Sequence, residues 1–391
     1  MFDKRHGLLL FLNSLASGLL SPLLTLLLLD KGLSLAAVPL AVGLYSATAV
    51  AFELPSGMAA DRWGRKNCFL ISLALLLPGL GLLILGRGTA AVLAAMAFQG
   101  LARAFSSGSL DALVVEEFLL KNGPEALPRC TARISALTSI GLAVGCLVGG
   151  GIYALTDRLW AALALKATVV LALLALGAGL AEHPVKREEG EPNPAAQLAA
   201  TLRGRGLVRA LVLCSAALAP ALFSVEVFYQ PRFEQLLNSS AAGWALGALG
   251  GGAFYAAAAG SVLGPRLTRR PSLEKLLGAA ALVGAGLMAL GASGAPVTFV
   301  AAYFLFYVMV GWGDYLTSSL MNEAAPPSQR ATLLSASSLS VQLGGLAASP
   351  LLSAGAAVGT IPQVWLSTGG VLAAGMLAWL AAWALRRRKA K

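Results

Sequence analysis

Charge is scarce in this sequence. Only 12% of its 391 residues are Asp, Glu, Lys or Arg, while 57% are hydrophobic. Soluble globular domains carry about 25% charged residues, so too little polar surface is available to coat a water-soluble globule. Histidine is nearly missing: His6 and His183 both fall in polar segments and have no metal-ligand or triad neighbour in the sequence. The four cysteines, Cys68, Cys130, Cys146 and Cys214, lie in or beside apolar runs without metal-ligand spacing and read as small core residues. No phosphate-cradling G-x-x-x-x-G-K-[ST] occurs, which argues against direct ATP drive. The expectation is a protein that is not an enzyme and holds neither metal nor cofactor.

What the sequence does have is apolar length. Its hydrophobic residues come in runs of roughly 20, enough to cross a hydrocarbon core of about 30 Å as a helix. The runs are continuous rather than alternating, which disfavours a barrel. Twelve spans are predicted: 7–29, 36–57, 68–86, 89–118, 134–154, 159–181, 208–230, 241–264, 274–293, 296–320, 331–355 and 362–385. The run 7–29 is too long for a cleavable signal and lacks a small-residue cleavage site.

The formal charge of +11 then finds a reason. With the N-terminus inside, 23 of the 29 Lys and Arg residues fall on one face of this topology. Only Lys31, Arg87, Arg158 and Arg232 fall on the other, and Arg103 and Lys166 lie inside spans. Such asymmetry is the positive-inside signal. It places both termini in the cytoplasm of a multi-pass protein of the cell's inner (plasma) membrane. The basic residues face anionic lipid of the bilayer rather than nucleic acid.

Residues 182–206 form the one long polar connection, rich in Glu, Pro and Gly, with a short surface helix predicted at 195–203. The expected organisation is a six-helix bundle over 1–181, a cytoplasmic linker over 182–206, and a second six-helix bundle over 207–391. The halves look related. "RISALTSIGLAVG" (133–145) and "LLSASSLSVQLGG" (333–345) share Ser-Ala and Gly positions, and "GMAADRWGRKN" (57–67) and "GPRLTRRPS" (264–272) each follow the second span of their half. This pattern suggests an internal duplication, as expected for a transporter with its site at the repeat interface.

The segment "GMAADRWGRKN" concentrates charge between two apolar runs. Gly57 would allow close helix approach, Gly64 a tight turn, and Asp61 a cap or a carboxylate partner for an arginine fork. Gly57, Ala60, Asp61, Arg62, Gly64, Arg65 and Lys66 match the loop between the second and third helices of the major facilitator superfamily, with Met58 at a Leu position. The resemblance covers nearly the whole chain. It implies an all-α membrane protein of twelve transmembrane helices in two pseudo-symmetric six-helix bundles, working as a monomer by alternating access. In that setting Gly57, Asp61, Arg62, Gly64, Arg65, Lys66 and Asp111 are expected to form a cytoplasmic latch. "GLAVGCLVGG" (141–150) is similar to the helix-5 glycine motif of the superfamily's antiporter branch, with Gly141, Gly145, Gly149 and Gly150 matching and Cys146 in place of proline. In helix 4 the family's R-x-x-Q-G keeps Gln99 and Gly100 but has Met96 at the Arg position, and Arg103 lies about two turns on.

Ionisable groups within spans are expensive and therefore candidates for function. Glu53, Arg103, Glu226 and Asp314 are candidates for proton coupling or substrate binding, with Tyr229, Gln230, Gln342 and Asn13 as polar cavity residues. Glu53 is a candidate proton carrier beside Pro55. Glu226 sits in "FSVEVFYQPRF", where Pro231 is expected to end the helix, and Lys166 is expected to snorkel outward or line the cavity. Asp314, in "GWGDYL", is flanked by Trp312 and Tyr315 and would suit a cation. The function expected is proton-coupled export of small amphipathic compounds. Import or facilitated passage of a nutrient or metabolite, and lipid flipping on the same fold, are the alternatives. The expected partners are a small-molecule substrate, protons and the bilayer.

Overall fold

A computed structural model gives the architecture, describing residues 4–107, 109–180, 206–237, 243–324 and 330–389. The linker expected at 182–206, with its surface helix, lies outside the described residues except for Gly206. Among the described residues every regular element is helical, and twelve helices are long and apolar enough to cross a membrane. They are α1 (Lys4–Asp30), α2 (Ala37–Trp63), α3 (Arg65–Leu85), α4 (Gly88–Asn122), α5 (Leu127–Thr156) and α6 (Leu159–Ala178). Then follow α7 (Gly206–Leu237), α8 (Gly243–Leu267), α9 (Leu273–Ala292), α10 (Pro296–Ala324), α11 (Arg330–Val358) and α12 (Ile361–Lys389).

Boundaries moved in four instructive places. The segment expected as a loop at 57–67 is mostly helix: α2 runs to Trp63, and Gly64 alone forms the joint before α3. Gly64 has φ 90°, a conformation that glycine enters without a Cβ penalty. Pro231 does not end α7, which continues to Leu237. Membrane helices tolerate one missing donor because neighbouring groups satisfy the freed carbonyl. α4 is interrupted at Ser107, whose ψ of 114° leaves the helical region. α1 contains a short 3-10 turn at Ser21–Leu23, where Pro22 removes a donor.

The chain forms two compact units, one of residues 1–188 with 238–251 and one of 189–237 with 252–391. Each is built from close helix pairs seated on small residues, the usual solution where lipid gives no hydrophobic drive between helices. In the first unit, α5 lies against α1: a Cβ on Gly145 would fall 2.9 Å from Gly18 Cα, and one on Gly141 3.1 Å from Ser14 Cβ. α4 lies against α2, with Gly100 beneath Thr48, and α6 meets α3 at Gly177. The second unit repeats these pairings. α11 meets α7 where Gly344 faces Ala219, α10 meets α8 where Gly260 faces the Trp312 amide, and α12 meets α9 at Gly369 and Gly284.

Ser56 Oγ donates to the Ala104 carbonyl at 2.9 Å in a buried position, joining α2 to α4. Replacing Ser56 by alanine is expected to cost about 0.6 kcal/mol, the average from double-mutant cycles on hydrogen bonds between membrane helices. Thermal unfolding of the purified variant reads this as a small fall in Tm.

Candidate functional site

At the charge-rich end of the first unit, Arg65 Nε donates to Glu116 Oε1 at 2.6 Å, tying the start of α3 to the second segment of α4. His6 Nε2 lies 2.9 Å from Glu117 Oε2, and Glu117 also pairs with Lys121 one turn on. Arg5 donates to the Leu176 carbonyl at 2.9 Å, which brings in α6. The motif's Arg65 is thus partnered by Glu116. Arg62 and Asp111 are both exposed, and no ion pair joins them among the described residues. Asp111 is instead within Coulombic reach of Arg103 across the break in α4. The Asp61 side chain lies outside the described residues, and Lys66 is half-buried. Gly57 does not seat a neighbouring helix: a Cβ there would meet open space.

Glu53 is half-buried in α2 and accepts from Ser107 Oγ at 3.3 Å, at the interruption of α4. Asn13 is half-buried on α1. The helix-5 glycines divide between two faces. Gly141, Gly145 and Gly149 lie along α1, and Gly150 faces Gly247 at the start of α8. Met96 is buried with Gln99 Nε2 at 3.9 Å from its sulfur, while Arg103 is exposed. Lys166 does not snorkel; it is only 8% exposed within α6.

The second unit brings the remaining candidates together. Phe233 faces Phe299 and Tyr229 faces Tyr303, with ring centroids 5.5 and 5.2 Å apart, so α7 and α10 run antiparallel with a settled register. On α7 the residues Ser215, Leu218, Leu222, Glu226 and Tyr229 recur at three- and four-residue steps, one face of a helix. On α10, Tyr303, Tyr307, Val310, Asp314 and Thr317 do the same. A cavity of about 230 Å³ opens between these stripes, lined by Ser215, Leu218, Leu222, Val310, Asp314 and Thr317 among others. Gln342 on α11 is half-buried beside Val341, which also lines it.

The two acids lie at different levels along the α7/α10 pair, and of the two only Asp314 lines the cavity. Asp314 is level with Leu218, and Glu226 lies eight α7 residues further on, about 12 Å at 1.5 Å per residue. Both are exposed rather than packed, and neither forms an ion pair among the described residues. Their surroundings differ. Asp314 shares its cavity with the hydroxyls of Ser215, Thr317 and Ser318. The aromatics beside it in sequence point elsewhere: Trp312 Nε1 donates to Thr268 Oγ1 at 3.1 Å and the Tyr315 hydroxyl to the Thr268 carbonyl at 3.3 Å. At 100° per residue, positions 312 and 315 share one face of α10 and 314 occupies another.

Glu226 has the aromatic setting instead. It is within Coulombic reach of Tyr303 and Tyr307, whose rings stand 5.0 Å apart. Phe299 lies 6.0 Å from Tyr303 and Trp365 lies 6.0 Å from Phe299, and Trp365 Nε1 donates to the Ser224 carbonyl at 3.2 Å, fixing the wall. Gln230 is buried next to Tyr229. Tyr303 and Tyr307 were missed by inspection for charge alone. Their signal is the four-three-four-three spacing that carries them onto the Asp314 stripe.

The sequence profile of the Major Facilitator Superfamily matches residues 7–349. No curated protein matches the chain. Solved structures do share its fold. The nucleoside transporter NupG, in a mutant form, superposes with a TM-score of 0.81 at 14% identity, over 96% of this chain and 98% of that one. A bacterial homolog of the human lysosomal transporter Spinster, inward-facing and unoccupied, gives 0.73 at 15% identity, over 96% and 95%. A mutant of the peptide transporter POT in complex with sulfate gives 0.72 at 16% identity, over 98% and 94%. With twelve membrane-length helices and a profile match over most of its length, the chain belongs to the Major Facilitator Superfamily and is a transporter.

Proposed function

We propose that this transporter is a secondary carrier that exports small amphipathic compounds in exchange for protons. The observation that carries this reading is the cavity between α7 and α10 of the second unit, lined by Asp314, with the exposed Glu226 further along α7; no basic residue forms an ion pair with either acid among the described residues. A carboxylate within a membrane span and free of an ion-pair partner is suited to bind a proton or a cationic substrate. The middle of the groove, Leu218, Leu222 and Val310, offers apolar surface. Glu53, bonded to Ser107 at the break of α4, is a second proton candidate in the first unit. The cationic residues of the 57–67 motif and the tail support a cytoplasmic position for both termini.

In this account the protein works as a monomer by alternating access, its six-helix halves 1–181 and 207–391 are joined by the linker 182–206, and the motif around Asp61 and Arg65 acts as a latch. Asp61→Asn is expected to leave expression intact, reduce transport and raise cysteine accessibility at cytoplasmic cavity positions; unaltered accessibility would count against the latch. The transport reading itself is tested in proteoliposomes. An imposed proton gradient should drive accumulation of a dye-like amphipathic substrate, and a protonophore should abolish it. Accumulation that ignores the protonophore removes proton coupling.

A second reading has its own support. Tyrosine hydroxyls beside an acid suit a hydroxylated ring, and the chain shares its fold with a nucleoside transporter. On this reading the protein imports or passes a small metabolite, and uptake of labelled nucleosides would exceed uptake of amphipathic dyes.

A further inference from the structure

Several basic residues of the first unit already have partners: Arg65 has Glu116, Lys121 has Glu117, and Arg5 has the Leu176 carbonyl. In the second unit, by contrast, Arg266, Arg269, Arg270 and Lys275 are all exposed around the connection from α8 to α9. No ion pair holds any of these four among the described residues. The connection that carries them is fixed. Thr268 Oγ1 accepts from Trp312 Nε1 and the Thr268 carbonyl from the Tyr315 hydroxyl. Lys275 Nζ donates to the Arg270 carbonyl at 2.7 Å, and Ser272 Oγ caps α9. Charges that leave from an ordered backbone lose less freedom when they bind.

A second basic run lies beside the first. α9 and α12 are antiparallel: Gly291 faces Leu366, Gly284 faces Ala373, and Trp383 Nε1 donates to Glu274 Oε1 at 3.2 Å. Extended by one turn, this register brings the end of α12, Arg386 to Lys389, level with residues 268–271. The one acid of the 264–275 stretch is Glu274. Apolar surface adjoins both runs, since Leu267 beside Arg266 is 61% exposed and Leu385 beside Arg386 is 58% exposed. Trp383, half-buried between the helix pair and the basic runs, is of the residue type that settles at the headgroup level of a bilayer.

We propose that this end of the α9/α12 pair is a binding site for a phospholipid carrying two phosphates, one answered by Arg269 and Arg270 and the other by the last turn of α12. Packed helices are about 8–10 Å apart, so the two basic runs are close enough for one double headgroup to meet both. The exposed leucines select a lipid over a soluble anion, because acyl chains can lie against them. The general attraction of basic residues to an anionic membrane favours every exposed cation alike; a site favours these and not others. It is independent of what the protein carries.

Native mass spectrometry on the delipidated full-length protein in detergent tests it. The probes are diphosphatidylglycerol, phosphatidylglycerol and phosphatidylcholine. The wild type should bind the two-phosphate lipid at least about 10-fold more tightly than the one-phosphate lipid, with phosphatidylcholine weaker still. Arg269→Gln with Arg270→Gln should weaken diphosphatidylglycerol by about fivefold for each charge removed, the worth of one cation beside an anionic surface. Arg387→Gln with Arg388→Gln should do the same. Glu274→Gln, which keeps an acceptor for Trp383, should tighten binding by up to about fivefold. Lys4→Gln with Arg129→Gln removes two exposed cations of the first unit and should leave affinity within about twofold.

Equal binding of the one- and two-phosphate lipids by the wild type overturns the proposal, whatever the variants do. Equal weakening by the Lys4/Arg129 pair and the Arg269/Arg270 pair does so too, because it leaves only diffuse attraction. Displacement of the lipid by an equal concentration of inorganic phosphate would show a site for a soluble anion and overturn the lipid assignment.

Discussion

Gly145→Val is expected to prevent accumulation of folded protein, and Gly145→Ala to lower its thermal stability sharply. A Cβ at this position would meet the Leu15 carbonyl and stand 2.9 Å from Gly18 Cα. Both are backbone atoms of α1, which cannot rotate aside as a side chain does. Overpacking costs 1–3 kcal/mol where side chains can give way, so about 3 kcal/mol is expected for alanine here. At 2–4 °C per kcal/mol for a unit of this size, Tm should fall by roughly 6–12 °C. Gly278→Ala is the control. Its Cβ would enter open space within α9, and alanine is the better helix former by about 1 kcal/mol. Tm should stay level or rise. Equal losses at both positions, followed by fluorescence-detected size exclusion after heating, would show that α1 and α5 are not held by direct backbone contact.

Asp314→Asn is expected to abolish proton-driven accumulation while leaving exchange of substrate across the membrane intact. Asparagine keeps the shape and hydrogen-bonding capacity of the side chain in its cavity with Ser215 and Thr317, but it cannot carry a proton. A carrier that has lost its coupling group still cycles with substrate bound, so counterflow in proteoliposomes should continue within about threefold of wild type. The gradient-driven ratio should fall to one. If both activities vanish together, Asp314 binds substrate or holds the fold. If both persist, the proton is carried elsewhere, with Glu53 the next residue to test.

The fold was legible because the bilayer imposes a length scale on the sequence. Runs of roughly 20 apolar residues define helices with little help from local propensity, and the lysine and arginine asymmetry checks their number. The small residues of "GLAVGCLVGG" also announced a close helix contact, because only glycine lets backbones approach so nearly. Less was legible at the ends. Residues 57–63 are polar and Gly-punctuated, which reads as a loop, yet the helix persists to Trp63 because only Gly64 departs from helical geometry.

The candidate site was half legible. Charged residues in apolar runs stand out singly, so Glu226 and Asp314 were found, but proximity between helices is not written in one sequence. Trp312 and Tyr315 seemed to flank Asp314 because they are near it in number, whereas helical phase turns them to Thr268. Tyr303 and Tyr307 lie seven and more residues away and share the helix stripe of Asp314. The pairing of Arg65 with Glu116 was hidden for the same reason: the partner is 51 positions on and belongs to another helix.

The most direct test of the account is proton movement caused by substrate. In proteoliposomes loaded with a pH-sensitive dye and bearing no initial proton gradient, an outward-directed gradient of an amphipathic substrate should drive protons inward and acidify the lumen, and Asp314→Asn should remove the signal. A lumen pH that stays constant while labelled substrate crosses at the wild-type rate would contradict exchange of substrate for protons.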